Sequence, residues 1–233
     1  MLCQFVNRRN CYSHGSMVQI AENGHYDIMY GIIEPDSVYA NFITKMTTEI
    51  FFLNNTAFTQ PYYSVHPFTH LLRGEVNAFL KEFYNNVSAL ADREVYSFWE
   101  HLYLVSPHKT HEEGWFLMRC RWMLYMDYFG KLNILPGIPR AWLNDGCVIS
   151  FENAASRFGR LSVNVESNIS QGTVCASIKL VDNFGQIPNE IAIRIPHPQG
   201  QKAISVSRGV YCEESETIII SDFTGEADIV IKF

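Results

Sequence analysis

Leu132-Asn133-Ile134-Leu135-Pro136-Gly137-Ile138-Pro139-Arg140-Ala141-Trp142-Leu143 divides the chain into halves of different hydrophobic period. The stretch holds two prolines and an aromatic anchor and is neither Gly/Ser-rich nor charged, so it reads as a packed connector. Beyond Gly146 the period is two. Val148-Ile149-Ser150-Phe151, Leu161 to Glu166, Thr173 to Leu180, Glu190 to Ile195, Thr217 to Ile220 and Ala227 to Phe233 read as strands. Gln171-Gly172, Asn183 with Gly185, His197-Pro198-Gln199-Gly200, Arg208-Gly209 and Gly225 supply turns between them. Many short strands at near-regular spacing predict an antiparallel sandwich rather than βαβ units.

Before residue 130 the period is helical. Asp36-Ser37 offers an N-cap after Pro35, and Phe42, Ile43, Met46, Ile50 and Leu53 recur at helical spacing. A second helix is marked by Leu72, Val76, Phe79, Leu80, Phe83, Tyr84, Val87 and Leu90. Thr110 and Glu113 form a T-x-x-E capping box that opens a third. That helix runs through Trp115, Phe116, Leu117, Cys120, Trp122, Met123, Leu124 and Met126. Its apolar residues point to nearly all sides, which predicts burial between other elements. The expected fold class is α+β: helices over 1–130, a connector over 131–146 and a β-sandwich over 147–233.

Composition sets limits on function. With 47% hydrophobic and 18% charged residues, the chain is an ordinary globular sequence. Its net charge of −6 and the lack of a Lys/Arg cluster argue against nucleic acid as a partner. No apolar run is long enough to cross a bilayer, and MLCQFVNRRNCYSHGS lacks the order of a secretory signal. Cys3, Cys11, Cys120, Cys147, Cys175 and Cys212 show no CxxC spacing, so reduced thiols and a cytoplasmic location are expected. There is no phosphate-binding glycine loop and no G-x-S-x-G elbow, and no cofactor is expected.

Two connections concentrate polar and aromatic residues. One is Tyr96-Ser97-Phe98-Trp99-Glu100-His101, continued by Ser106-Pro107-His108-Lys109-Thr110-His111-Glu112-Glu113-Gly114-Trp115. The other is Gln60-Pro61-Tyr62-Tyr63-Ser64-Val65-His66-Pro67-Phe68-Thr69-His70. Meeting at one end of a helical barrel, such loops would line a sugar site. Glycoside hydrolysis needs two carboxyl groups, and Glu100 and Glu112 are the candidates. Each also has a local explanation: Glu100 as a cap or pair, Glu112 as a first-turn acid on a helix dipole. His101, His108, His111 and Glu112 invite a metal reading, but His108 and His111 do not share a helical face, so no metal is expected there.

Trp99-Glu100, the helix with Trp115, the Leu135-Pro136-Gly137-Ile138-Pro139 connector with Trp142 and a terminal sandwich together resemble the end of (α/α)6-barrel glycosidases. The α-L-rhamnosidase-type enzymes and related toroidal families are the likeness intended, over roughly residues 95–233. The resemblance implies partial toroid helices followed by the sandwich. It also implies Glu100 as the base of an inverting reaction on a glycoside or oligosaccharide. Trp99, His101, His108, His111, Trp115, Tyr62, Tyr63 and His66 are the expected substrate-binding residues. A toroidal lyase or epimerase, drawing its base from Tyr62, Tyr63, His66 or His111, and an inactive sugar-binding module are the alternatives. About 130 residues are too few for twelve helices, so the chain is expected to be the C-terminal part, or a degenerate copy, of a longer enzyme. Its exposed helix faces would then favour association.

Overall fold

A computed structural model describes residues 23–49, 65–100, 107–182, 187–188 and 190–233. The fold is α+β, with compact units at Met1–Trp122 and Met123–Phe233. The described part of the first is built of helices and one small hairpin. Helical residues 23–29 (α1) precede α2, Val38–Thr48, whose N-cap Ser37 accepts a hydrogen bond from the Ala40 N–H as the sequence predicts. The continuation expected through Ile50 and Leu53 lies outside the described residues. Next come α3, His66–Leu72, and α4, Val76–Leu90. The expected loop through His66 and His70 is therefore a helix, and the helix expected from Leu72 starts four residues later. Gly74, at φ +70°, separates the two.

The hairpin pairs β1, Ala91–Asp92, with β2, Ser97–Phe98, and leads to α5, Thr110–Leu124. The Lys109 carbonyl accepts from the N–H groups of Glu112 and Glu113, which makes Thr110 the first helical residue rather than the cap. Helix α5 is not buried all round. Glu112, Arg119, Trp122 and Met123 are buried along one stripe, while Leu117 is 66% exposed. The described helices close no barrel, so the toroid stays an inference from resemblance. Tyr30, Ile32, Val38 and Tyr39 are exposed apolar side chains on the early helical segment.

The second unit holds two five-stranded sheets. Its strands are β3 Tyr125–Met126, β4 Lys131–Ile134, β5 Val148–Ser156, β6 Gly159–Asn168, β7 Thr173–Val181 and β8 Glu190–Arg194. The set ends with β9 Ser205–Val206, β10 Val210–Cys212, β11 Thr217–Ile220 and β12 Glu226–Lys232. One sheet has the order β10-β11-β8-β4-β3 and the other β5-β6-β7-β12-β9. Alternation along β6, β7 and β12 buries Leu161, Val163, Val165, Val174, Ala176, Ile178, Ile229 and Ile231. The other sheet buries Leu132, Ile134, Ile191, Ile193, Ile218 and Ile220. Two sheets that each hide one face are the layers of a sandwich.

Two expectations are corrected here. Lys131–Ile134, assigned to the connector, is a strand, and it pairs in parallel with Glu190–Ile193, so the sandwich is not wholly antiparallel. Met126, expected at the end of the third helix, lies in a strand opposite Asn133. The Asn183–Gly185 turn lies outside the described residues.

The turn before β10 gives a direct test of the packing. Gly209 sits at φ +82°, and a Cβ there would stand 2.6 Å from the Ile219 carbonyl oxygen and 2.9 Å from Ile218 Cγ2. Left-handed backbone strain adds to the clash. Gly209→Ala is therefore expected to cost the unit about 2 kcal/mol or more, read as a lower midpoint in denaturant titration.

Candidate functional site

Two groups of polar residues lie in the helical unit. The first grows from the end of α3. Past Leu72, Arg73 caps the helix and Gly74 adopts the left-handed conformation. The Glu75 N–H donates to the His70 carbonyl and the Gly74 N–H to the Leu71 carbonyl, the paired bonds of a Schellman ending. This turn folds Glu75 back on the helix. The His70 Nδ1–H donates to Glu75 Oε2 at 2.6 Å, and Arg73 Nε donates to Glu75 Oε1 at 2.8 Å. Partial burial works to raise the Glu75 pKa, but the bonds from His70 and Arg73 outweigh it and hold the carboxyl below its usual range.

One turn earlier on the same face stands His66, with ring centroids 4.1 Å from His70. Spacing of four residues on a helix brings the two rings together, tilted at 47°. From α4, Glu82 brings Oε2 to 3.1 Å from His66 Nδ1, and Arg119 of α5 stands 3.8 Å from its other oxygen. His66, His70, Glu82 and Arg119 are all buried. Burial raises the Glu82 pKa to about 7 against the opposing pull of Arg119 and His70. Burial, then the positive charge available to His70 and Arg119, hold His66 well below the usual imidazole value.

His25 closes the group, its ring 4.8 Å from that of His66. Its Nε2 lies 2.8 Å from Thr47 Oγ1 and its Nδ1 2.8 Å from Thr69 Oγ1. Since the Thr47 hydroxyl donates to the Ile43 carbonyl, it accepts from His25 Nε2–H. With the imidazole neutral, its Nδ1 accepts from the Thr69 hydroxyl. Burial and the neighbouring histidines lower its pKa well below 6.5 to match.

The second group contains most of the residues that the sequence singled out. Trp99 and Trp115 pack against the buried Leu90 and Phe98. Glu100 Oε2 pairs with Lys109 Nζ at 2.9 Å, and the Lys109 N–H donates to the Phe98 carbonyl. Through Lys109 the hairpin is tied to the start of α5. There the Trp115 indole N–H donates to His111 Nε2 at 3.0 Å, leaving His111 Nδ1 to face Glu112 Oε1 at 3.3 Å. Glu112 is fully buried, and among the described residues its Oε2 has no hydrogen-bond partner. His108 is exposed at φ +60°. The structure thus joins Trp99, Glu100, His111, Glu112 and Trp115 into one neighbourhood. His66 belongs to the other group. His101, Tyr62 and Tyr63 lie outside the described residues.

Sequence reasoning missed His25, His70, Glu75, Glu82 and Arg119. The signals available were the His-x-x-x-His spacing of His66 and His70 and the glycine at 74 that ends their helix. Among the described residues, Cys120, Cys147, Cys175 and Cys212 are free thiols. No described helix is long and apolar enough to cross a membrane. No family model matches the chain, and no curated protein is found similar to it.

Proposed function

We propose that this chain is a portion of a carbohydrate-active protein that hydrolyses glycosidic bonds, with Glu100 as the base. The observation that carries the reading is the convergence of Trp99-Glu100 with His111 and Trp115 through the Lys109 tether. Indole faces pack against sugar rings, and a carboxylate beside them can take a proton from an attacking water. The ammonium of Lys109 orients that carboxylate. Glu112, wholly buried, suits support of His111 better than direct contact with substrate. The acid that protonates the leaving oxygen is then a carboxyl other than Glu112.

The test is turnover of a panel of glycosides by the full-length gene product and its Glu100→Gln variant. Removing a general base is expected to lower kcat by about 10²–10⁴-fold with sugar binding retained. Unchanged turnover in the variant rejects the base role. Binding that quenches tryptophan fluorescence, with no turnover of any glycoside, supports a sugar-binding module instead.

A further inference from the structure

We propose that His66, His70 and Glu82 form a binding site for a divalent transition metal of the zinc class, with Glu75 orienting His70 from behind. The inference does not rest on the glycoside reading. Each of the three offers one ligand atom, and these atoms lie within 4.8 Å of one another. Donors about 2.0–2.1 Å from a tetrahedral zinc are roughly 3.4 Å apart. The trio therefore has to draw together by at most about 1.4 Å (4.8 − 3.4) to close on an ion. Small turns of the His66 ring and the Glu82 carboxylate supply movement on that scale, with His70 held in place by Glu75.

The donor chemistry favours a transition metal. Two imidazoles and a carboxylate are borderline ligands suited to zinc, whereas calcium and magnesium require shells of oxygen. A metal takes up neutral imidazole. At His70, Nδ1–H is committed to Glu75, which leaves Nε2 with its lone pair. Glu75 is itself held by Arg73, so the carboxylate–histidine pair is fixed before any ion arrives. A carboxylate on the far nitrogen of a histidine is the usual support of a zinc ligand. His25 is not a fourth ligand, because both its nitrogens are taken by Thr47 and Thr69. Three protein ligands leave the fourth position to water.

The competing reading is a polar core in which Arg119 and His66 balance Glu82 without an ion. Against it stands the geometry: 3.8 Å is long for a charged hydrogen bond, and Oε2 makes no aligned hydrogen bond among the described residues. A buried carboxylate so weakly compensated is costly. A cation between Oε2 and the two imidazoles supplies the missing charge.

The experiment uses the full chain, stripped with EDTA and titrated with Zn²⁺ against a chromophoric chelator, with circular dichroism to confirm the fold. One tightly bound zinc per chain is expected, together with a rise in melting temperature that EDTA reverses. Glu82→Gln and His70→Gln should abolish that binding. Glu75→Gln, altering a side chain 37% exposed and outside the ligand set, should weaken it about 10–100-fold. Should the buried variants fail to fold, Glu75→Gln still decides. Failure of the wild type to retain zinc overturns the site, as does unchanged affinity in Glu75→Gln. An equal response to Mg²⁺ overturns the assignment to a transition metal.

Discussion

Glu216→Ala is expected to destabilise the β unit by about 3–5 kcal/mol, because it strands a buried arginine. Arg194 Nη2 donates to Glu216 Oε2 at 3.2 Å, and Arg140 holds both carboxylate oxygens, at 2.6 and 2.8 Å. Arg194 also donates to the Ile138 carbonyl, and Arg140 to the His197 carbonyl. One carboxylate therefore anchors two guanidinium groups that clamp the proline-bearing connector and the turn after β8. Arg140 is 42% exposed and can turn to water; Arg194, at 9%, cannot. Most of the loss therefore comes from Arg194 left uncompensated. For a unit of this size the midpoint of thermal unfolding should fall by more than about 10 °C. The charge argument has its own control. Arg194→Met added to Glu216→Ala removes the stranded cation, so the double variant should recover part of the loss. A double variant worse than the single would mean that packing, not charge, holds this corner.

Much of the sandwich was legible because its signal is local. Thr217–Ile220 is a strand over the residues that alternation marks, and Gly159–Asn168, Thr173–Val181 and Glu226–Lys232 differ from their readings by a residue or two at most ends. What escaped was pairing that depends on distant partners. Lys131–Ile134 is four residues long and is followed by Pro136 and Pro139, so its identity as a strand comes from Glu190–Ile193, which lies far along the chain. The two-residue strands carry no period at all. In the helical half, the reading ran one helix across Gly74. Apolar residues at 72 and 76 share a spacing even though the left-handed glycine between them ends α3.

The candidate sites were legible to different degrees for one physical reason. Trp99, Glu100, His111 and Trp115 stand out as residue types in a connection, and their meeting requires only the short hairpin and the first turns of α5. The histidine cluster comes from four separated segments, and its polar members lie on the buried stripes of their helices. Glu82 shares the inner face of α4 with Phe79 and Phe83, and Arg119 shares that of α5 with Trp122. Hydrophobic periodicity treats such residues as interruptions, so the cluster is invisible to the rule that finds the helices. The His66–His70 spacing and the helix-ending Gly74 are the signals in the sequence that point to it.

Trp122→Ala is expected to cost the helical unit about 3–5 kcal/mol, and Trp122→Phe much less. Trp122 is wholly buried, with its ring centroid 5.0 Å from that of Phe68 and 5.9 Å from that of Trp115. Alanine leaves a cavity among aromatic neighbours that cannot collapse freely. Phenylalanine keeps most of the contact. It also deletes an indole N–H that has no acceptor among the described residues, which offsets part of the lost packing. The two variants separate further at the site, since Trp115 touches Trp122 and donates its indole N–H to His111. A cavity at 122 loosens the indole that holds the imidazole, whereas a phenyl ring supports it. Denaturant titration followed by the helical circular-dichroism signal should rank wild type, then Phe, then Ala. Equal losses for Phe and Ala would mean that the N–H has a partner and that a hydrogen bond, rather than ring packing, fixes Trp122.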